Sequence, residues 1–178
     1  MKNKLYAELT TLITTAREKN ETFFIGIDGL SGSGKTQLAE KIAKKFDIPI
    51  FHIEDLYLGW DGLTAGITEY KRILPLLKSG VNTQYISWDW QHNKKQNSQI
   101  EPRQLMIFEG VGACVGQTKE FLDYTIWLDC EEEKRKQQAL TRDGDQYRPY
   151  WNTWARQEKQ LLAANPDYLS GIDFKRIF

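Results

Sequence analysis

Residues Gly29, Leu30, Ser31, Gly32, Ser33, Gly34, Lys35 and Thr36 run in the order G-x-x-x-x-G-K-[ST]. Glycines permit the positive φ angles that turn successive N–H groups to one side, and the start of a helix adds partial positive charge. Such a bend encloses a polyphosphate. Lys35 is placed to neutralise charge between the β and γ phosphates, and the Thr36 hydroxyl to bind Mg²⁺. With Gln37 one step into the following helix, residues 29–37 are the candidate nucleotide-binding set. A plain Gly/Ser connector shares the composition, but it needs neither Lys-Thr at this register nor a strand before it.

Moving a phosphoryl group to an alcohol also needs an acceptor for the hydroxyl proton and a carboxylate near the metal. Glu54 and Asp55 directly follow the apolar run PIFHI, and Glu109 follows LMIF. In open parallel sheets ligands gather beyond the carboxyl ends of strands, so all three acids are candidates, against the alternative of helix caps or turn acids. Either Glu54 or Asp55 can be the base.

The elements that position these groups are legible as short apolar runs alternating with helical periods. Leu5, Leu9, Leu12, Ile13 and Ala16 recur at helical intervals, TFFIGID (22–28) reads as a buried strand, and Leu38, Ile42 and Phe46 again mark a helix. Residues 49–53, 105–108 and 124–128 are further strands. The alternation implies an α/β, three-layer fold with a mostly parallel central sheet flanked by helices. Residues 64–78 are helical by period, with Pro75 expected to interrupt or kink them. Residues 85–98 show no clean period and read as an irregular surface segment.

Residues 131–145 are almost wholly polar, and a solvated helix face is the expectation for Lys134, Arg135 and Lys136. Tyr147, Tyr150, Trp151 and Trp154 form an aromatic stripe that reads as core more readily than as a ligand platform. His52, inside an apparent strand, reads as a satisfied interior imidazole, and His92, in the irregular segment after the WDW residues, could touch an acceptor but is not counted among the site residues. Cys114 and Cys130 are too few for a disulfide framework or zinc site and read as reduced, buried thiols.

A length of 178 residues suits one domain, 1–178. The 24 basic and 24 acidic residues cancel, which gives no field favouring nucleic acid or an anionic membrane. No apolar run approaches the roughly 20 residues that span a bilayer, and the first helix is amphipathic rather than a signal segment, so a cytoplasmic location is expected.

GLSGSGKT, HIEDLY and IFEG together resemble the uridine kinase family and its P-loop relatives, which carry a GxSGSGK[ST] loop, a DDFY-like motif and a later EG motif. EDLYLGWDGL, the WDW of Trp88, Asp89 and Trp90, and RDGDQYRPYWNTWARQE are similar to a bacterial branch usually described as ATP-binding or uridine-kinase-like. The resemblance spans roughly residues 23–162. It implies a P-loop NTPase fold with a small helical lid at about 131–154, ATP and Mg²⁺ as cofactors, and a small-molecule acceptor as partner, with a homodimer left open. By position, Glu54 matches the family's base, Asp55 the second acid of that motif, able to share the base's work or serve the metal, Tyr57 its aromatic residue, and Glu109 its metal-associated glutamate. Glutamate at 54 in place of aspartate shifts the carboxylate by about a bond length. Trp88, Asp89 and Trp90 look like the acceptor-binding part. Arg142 and Arg148 flank a Gly-containing turn, from which at least one would reach the phosphates. A nucleoside of the uridine or cytidine kind is the first acceptor implied; a vitamin precursor, a sugar acid or a nucleoside monophosphate would use the same chemistry. A nucleotide-driven regulator with no metabolite acceptor is the alternative from another class.

Overall fold

The computed structural model describes residues 2–177, apart from the side chains of residues 2, 3, 143 and 145. Helix α1 (Lys2–Lys19) leads into strand β1 (Phe23–Gly29), and the phosphate-type loop connects β1 to α2 (Lys35–Phe46). Then come β2 (Ile50–His52), α3 (Leu63–Lys78), the strands β3 (Thr83–Asp89) and β4 (Lys94–Ile100), and β5 (Leu105–Glu109). The chain continues through β6 (Tyr124–Asp129), α4 (Glu132–Asp143), α5 (Trp151–Ala164) and β7 (Phe174–Ile177).

Five strands form one parallel sheet in the order β2-β5-β1-β6-β7. Ile25 of β1 lies level with Ile107 of β5 and Tyr124 of β6. Side chains of β1 alternate between two apolar layers, as the period of two requires. Ile25 and Ile27 pack with Leu9 and Ile13 of α1 and Ile42 of α2. Phe24 faces the other way, with Met106, Phe108, Ile67 and Leu74. A sheet covered on both faces explains why its strands read as continuous apolar runs.

Phe108 is fully buried among Phe24, Phe51 and Tyr70, with ring centroids 5.0, 5.9 and 5.8 Å away. Truncation to Phe108→Ala is expected to remove about 3–5 kcal/mol of stability, read as a lower urea midpoint at an unchanged slope. A loss below about 1 kcal/mol would mean the second apolar layer does not depend on this ring.

Two sequence-based expectations are corrected and one unexpected strand is added. Helix α3 is not interrupted and runs on through Pro75 to Lys78. The missing N–H leaves the carbonyl of Lys71 unbonded within the helix, and Lys71 is exposed, so water can take that place. Residues 85–98 belong to an antiparallel hairpin, β3 paired with β4 from Thr83–Ile100 to Asp89–Lys94. Its buried positions on β3 are Thr83 and Ser87, with Ser87 and Ser98 hydroxyls 2.7 Å apart. The strand period is therefore carried by small hydroxyl residues, which an apolar pattern cannot show. Strand β7 supplies a fifth sheet strand that its four-residue run FKRI did not announce.

Candidate active site

The carboxyl ends of β1, β2 and β5 open on one crevice. β1 ends in the bend of residues 29–34, where Gly32 and Gly34 have φ of +80° and +90°. At Gly32 a Cβ would stand 2.1 Å from the carbonyl oxygen of Arg135, so glycine is required there by both angle and space. Gly34 precedes the first turn of α2, and the side chain of Lys35 reaches back across the bend to donate to the Leu30 carbonyl at 3.1 Å.

Glu109, at the end of β5, is 2% exposed. It accepts a hydrogen bond from His52 Nδ1 at 2.6 Å, and the Thr36 hydroxyl donates to the same oxygen at 3.3 Å. Burial opposes ionisation of Glu109, but the His52 bond, the charges of Lys35 and His52 and the Thr36 hydroxyl outweigh it and hold the carboxyl below the usual glutamate range. His52 is thus satisfied as expected, yet it is half-buried at the strand end rather than interior, and Glu109 and the neighbouring acids raise its pKa.

Beyond β2, residues 53–56 form a 3₁₀ turn that carries Glu54 and Asp55. The indole N–H of Trp90 donates to the Glu54 carbonyl at 3.2 Å and fixes the turn against the hairpin. The Glu54 carboxyl is open to the crevice but crowded by protein elsewhere. That crowding raises its pKa, as does the Glu109 charge, against Arg142, His52 and Lys35. Asp55 is raised by burial and countered by His52.

A cleft of about 990 Å³ joins these groups. Its walls include Ser31, Gly32, Lys35, Thr36, Glu54, Tyr57, Trp90, Glu109 and Arg142 from the expected set. Asp55, Trp88, Asp89 and Arg148 do not line it. Asp89 instead accepts from the N–H groups of Gln91 and His92, both at 3.0 Å, and so shapes the hairpin turn. Trp60, which sequence reasoning passed over as a site residue, dominates the far wall. It stacks on Tyr147 (centroids 5.1 Å, planes 16° apart) and on Tyr150 (4.7 Å, 6°), with Trp90 edge-on at 4.8 Å. The aromatic stripe therefore serves two ends: Trp151 and Trp154 are core, while Tyr150 is 41% exposed.

No protein-family model matches this sequence. The chain is 35% identical to a cytidylate kinase from Fervidobacterium nodosum over 105 residues, 55% of this chain and 46% of that protein. It is 27% identical to a uridine kinase from Clostridium botulinum over 139 residues, covering 67% of this chain and 68% of the other. In fold it matches the structure of a possible uridine kinase from Bacillus stearothermophilus, with TM-score 0.64, 19% identity, and 97% and 98% of the two chains covered. The chain has a three-layer α/β P-loop fold and is similar in sequence to uridine kinases. It spans less than half the length of the cytidylate kinase and about two thirds of the uridine kinase.

Two further features of this P-loop fold were not legible beforehand. Asp28, the residue before the bend, is fully buried and accepts from the N–H groups of Gly29 (2.6 Å), Gly112 (3.0 Å) and Cys114 (2.8 Å) and from the Tyr168 hydroxyl (2.8 Å). Burial raises its pKa against those four donors. It ties the start of the bend to the turn after β5 and to the segment before β7. Behind the bend lies a second cavity of about 230 Å³, lined by Gly34, Gln37, Leu38, Leu128, Lys134 and Arg176 among others. The Ser33 hydroxyl borders it, 4% exposed as a residue and without a hydrogen-bond partner among the described residues.

Proposed function

We propose that this chain transfers the γ-phosphoryl group of ATP to a hydroxyl of a small acceptor, with a uridine- or cytidine-like nucleoside the first candidate. The observation that supports it most is one cleft with Lys35 and Thr36 on one wall, Glu54 on another and the flat Trp60 stack opposite. In this reading the β and γ phosphates are enclosed by N–H groups of residues 32–36 other than that of Ser33, since those of Gly29, Ser31 and Ser33 bond within the protein, and Lys35 carries the compensating charge. The Ser33 hydroxyl, without a partner among the described residues, fits a phosphate neighbour, and the cavity beside Gln37 and Leu38 takes the nucleoside end of ATP.

Thr36 and Glu109, whose oxygens lie 3.3 Å apart, are the residues that would hold Mg²⁺ together with phosphate oxygens. A hydroxyl and one carboxylate suit an ion that keeps most of its ligands as water and phosphate. When bound, it would offset phosphate charge. Glu54 accepts the proton of the attacking hydroxyl, its raised pKa suiting a base. Asp55, off the cleft wall, takes a supporting place. Arg142 is the arginine on the wall, and its charge reaches Glu54. Tyr57, Trp60 and Trp90 bound the acceptor, whose planar ring matches a surface already built for stacking. The whole chain acts as one unit, with residues 131–154 as its closing part.

The test is ADP release measured with uridine, cytidine, nucleoside monophosphates, sugar acids and vitamin precursors. Uridine or cytidine is expected to raise release at least about tenfold over background. Stimulation by another class alone reassigns the acceptor. No stimulation by any of them removes the kinase reading and leaves a nucleotide-driven regulator.

A further inference from the structure

Ser31 sits in the middle of the bend, and each of its polar groups is bonded to a different part of the chain's last third. Its N–H donates to Glu158 Oε1 of α5 at 2.6 Å. Its carbonyl accepts from Arg135 Nη1 of α4 at 3.2 Å. Its hydroxyl accepts from the Tyr147 hydroxyl at 2.9 Å. The same side chains are fixed by one another. Glu158 also accepts from Trp154 Nε1 at 3.2 Å and lies 3.7 Å from Arg135 Nη1, and Arg135 Nε donates to the Cys130 carbonyl at 3.2 Å. Arg135 is 6% exposed and Glu158 2%, so the arginine expected on a solvated helix face is instead pressed against the bend.

Burying a carboxylate and a guanidinium gives little net stability, because desolvation offsets their attraction. What such a pair does supply is a fixed geometry. A bend with three glycines has many conformations available, and binding an anion through its N–H groups requires that most of them be given up. Holding the two consecutive peptides on either side of Ser31, one by its N–H and the next by its C=O, removes that freedom before any ligand arrives.

We propose that Glu158, with Arg135 and Tyr147, is a positioning latch that keeps the phosphate-binding bend in its enclosing form ahead of nucleotide. The proposal rests on the reading of residues 29–36 as the phosphate cradle. Tyr147 gives the latch a second end, since its ring stacks on Trp60 across the cleft while its hydroxyl holds Ser31. The acceptor wall and the nucleotide wall are thereby joined through one side chain.

The test uses the full chain and three variants, Glu158→Ala, Glu158→Gln and Tyr147→Phe. Two readouts are taken: hydrogen exchange of residues 29–36 without ligand, and the Kd for MgATP by calorimetry. Glu158→Ala is expected to speed exchange in the bend and to weaken MgATP binding, each at least about tenfold. Glu158→Gln, whose amide oxygen still accepts from Ser31, recovers both to within about threefold of the parent. Tyr147→Phe shifts both by about threefold with the melting temperature nearly unchanged. A role in stability alone would lower melting without moving the Kd of the folded protein. The proposal is overturned if exchange and Kd in Glu158→Ala and Tyr147→Phe stay within about twofold of the parent, or if Gln is as impaired as Ala. Should Glu158→Ala fail to fold, Tyr147→Phe and Glu158→Gln decide by the same measures. Absence of MgATP binding in the parent would remove the cradle reading, and the exchange data alone would then decide the latch.

Discussion

Lys35→Ala is expected to lower phosphoryl transfer by about a thousandfold or more while leaving the chain folded. The ammonium lies over the bend at 3.1 Å from the Leu30 carbonyl, on the wall of the cleft beside Thr36. Charge on a transferring phosphoryl group is stabilised by cations already in place, and at this end of the cleft the lysine is the one that follows the glycines directly. Its loss strikes the reaction more than the structure, because position 35 opens α2 and alanine is the strongest helix former. The measurement is acceptor-stimulated ADP release beside a thermal melt. Transfer retained within tenfold in a folded variant would count decisively against residues 29–36 as the cradle.

Glu54→Gln is expected to lower kcat by about a hundredfold to ten-thousandfold, with the Kd for MgATP unchanged within about twofold. The amide keeps the shape of the side chain but cannot accept a proton. The turn that carries Glu54 is held from behind by Trp90, so the substitution leaves its backbone supported. Asp55→Asn, at a position off the cleft wall, is expected to change kcat less than about tenfold. If the asparagine variant is crippled and the glutamine variant is not, the base is Asp55 and the 3₁₀ turn must rotate during turnover.

The bend was legible because its chemistry is local: glycine, lysine and threonine at fixed spacing, with an apolar strand before and a periodic helix after. Strands β1, β5 and β6 were legible for the related reason that burial on both faces leaves an unbroken apolar run. The parts that escaped are those where a polar residue is buried by partners distant in sequence. Arg135 looks like a solvent-facing charge on its own helix, and nothing near Glu158 in the sequence announces Ser31 as the partner of both. Asp28 depends on donors at 112, 114 and 168 in the same way. The hairpin escaped because Thr83 and Ser87 take the place of apolar residues on its inner side. Trp60 escaped because nothing in a glycine-rich connection fixes where an indole turns, whereas two tyrosines from another segment do.

The central place of β1 has a consequence for biosynthesis. Its hydrogen-bonding edges are completed by strands that begin at Leu105 and Tyr124, so on the ribosome this apolar segment emerges long before either neighbour exists. Until then its faces can be sheltered by helices, through Leu9, Ile13 and Ile42 on one side and Ile67 and Leu74 on the other, but its edges cannot. A nascent chain stalled short of Leu105 would carry a β1 with both edges open, which makes the stretch of translation before the two partner strands the window in which this molecule is most open to aggregation.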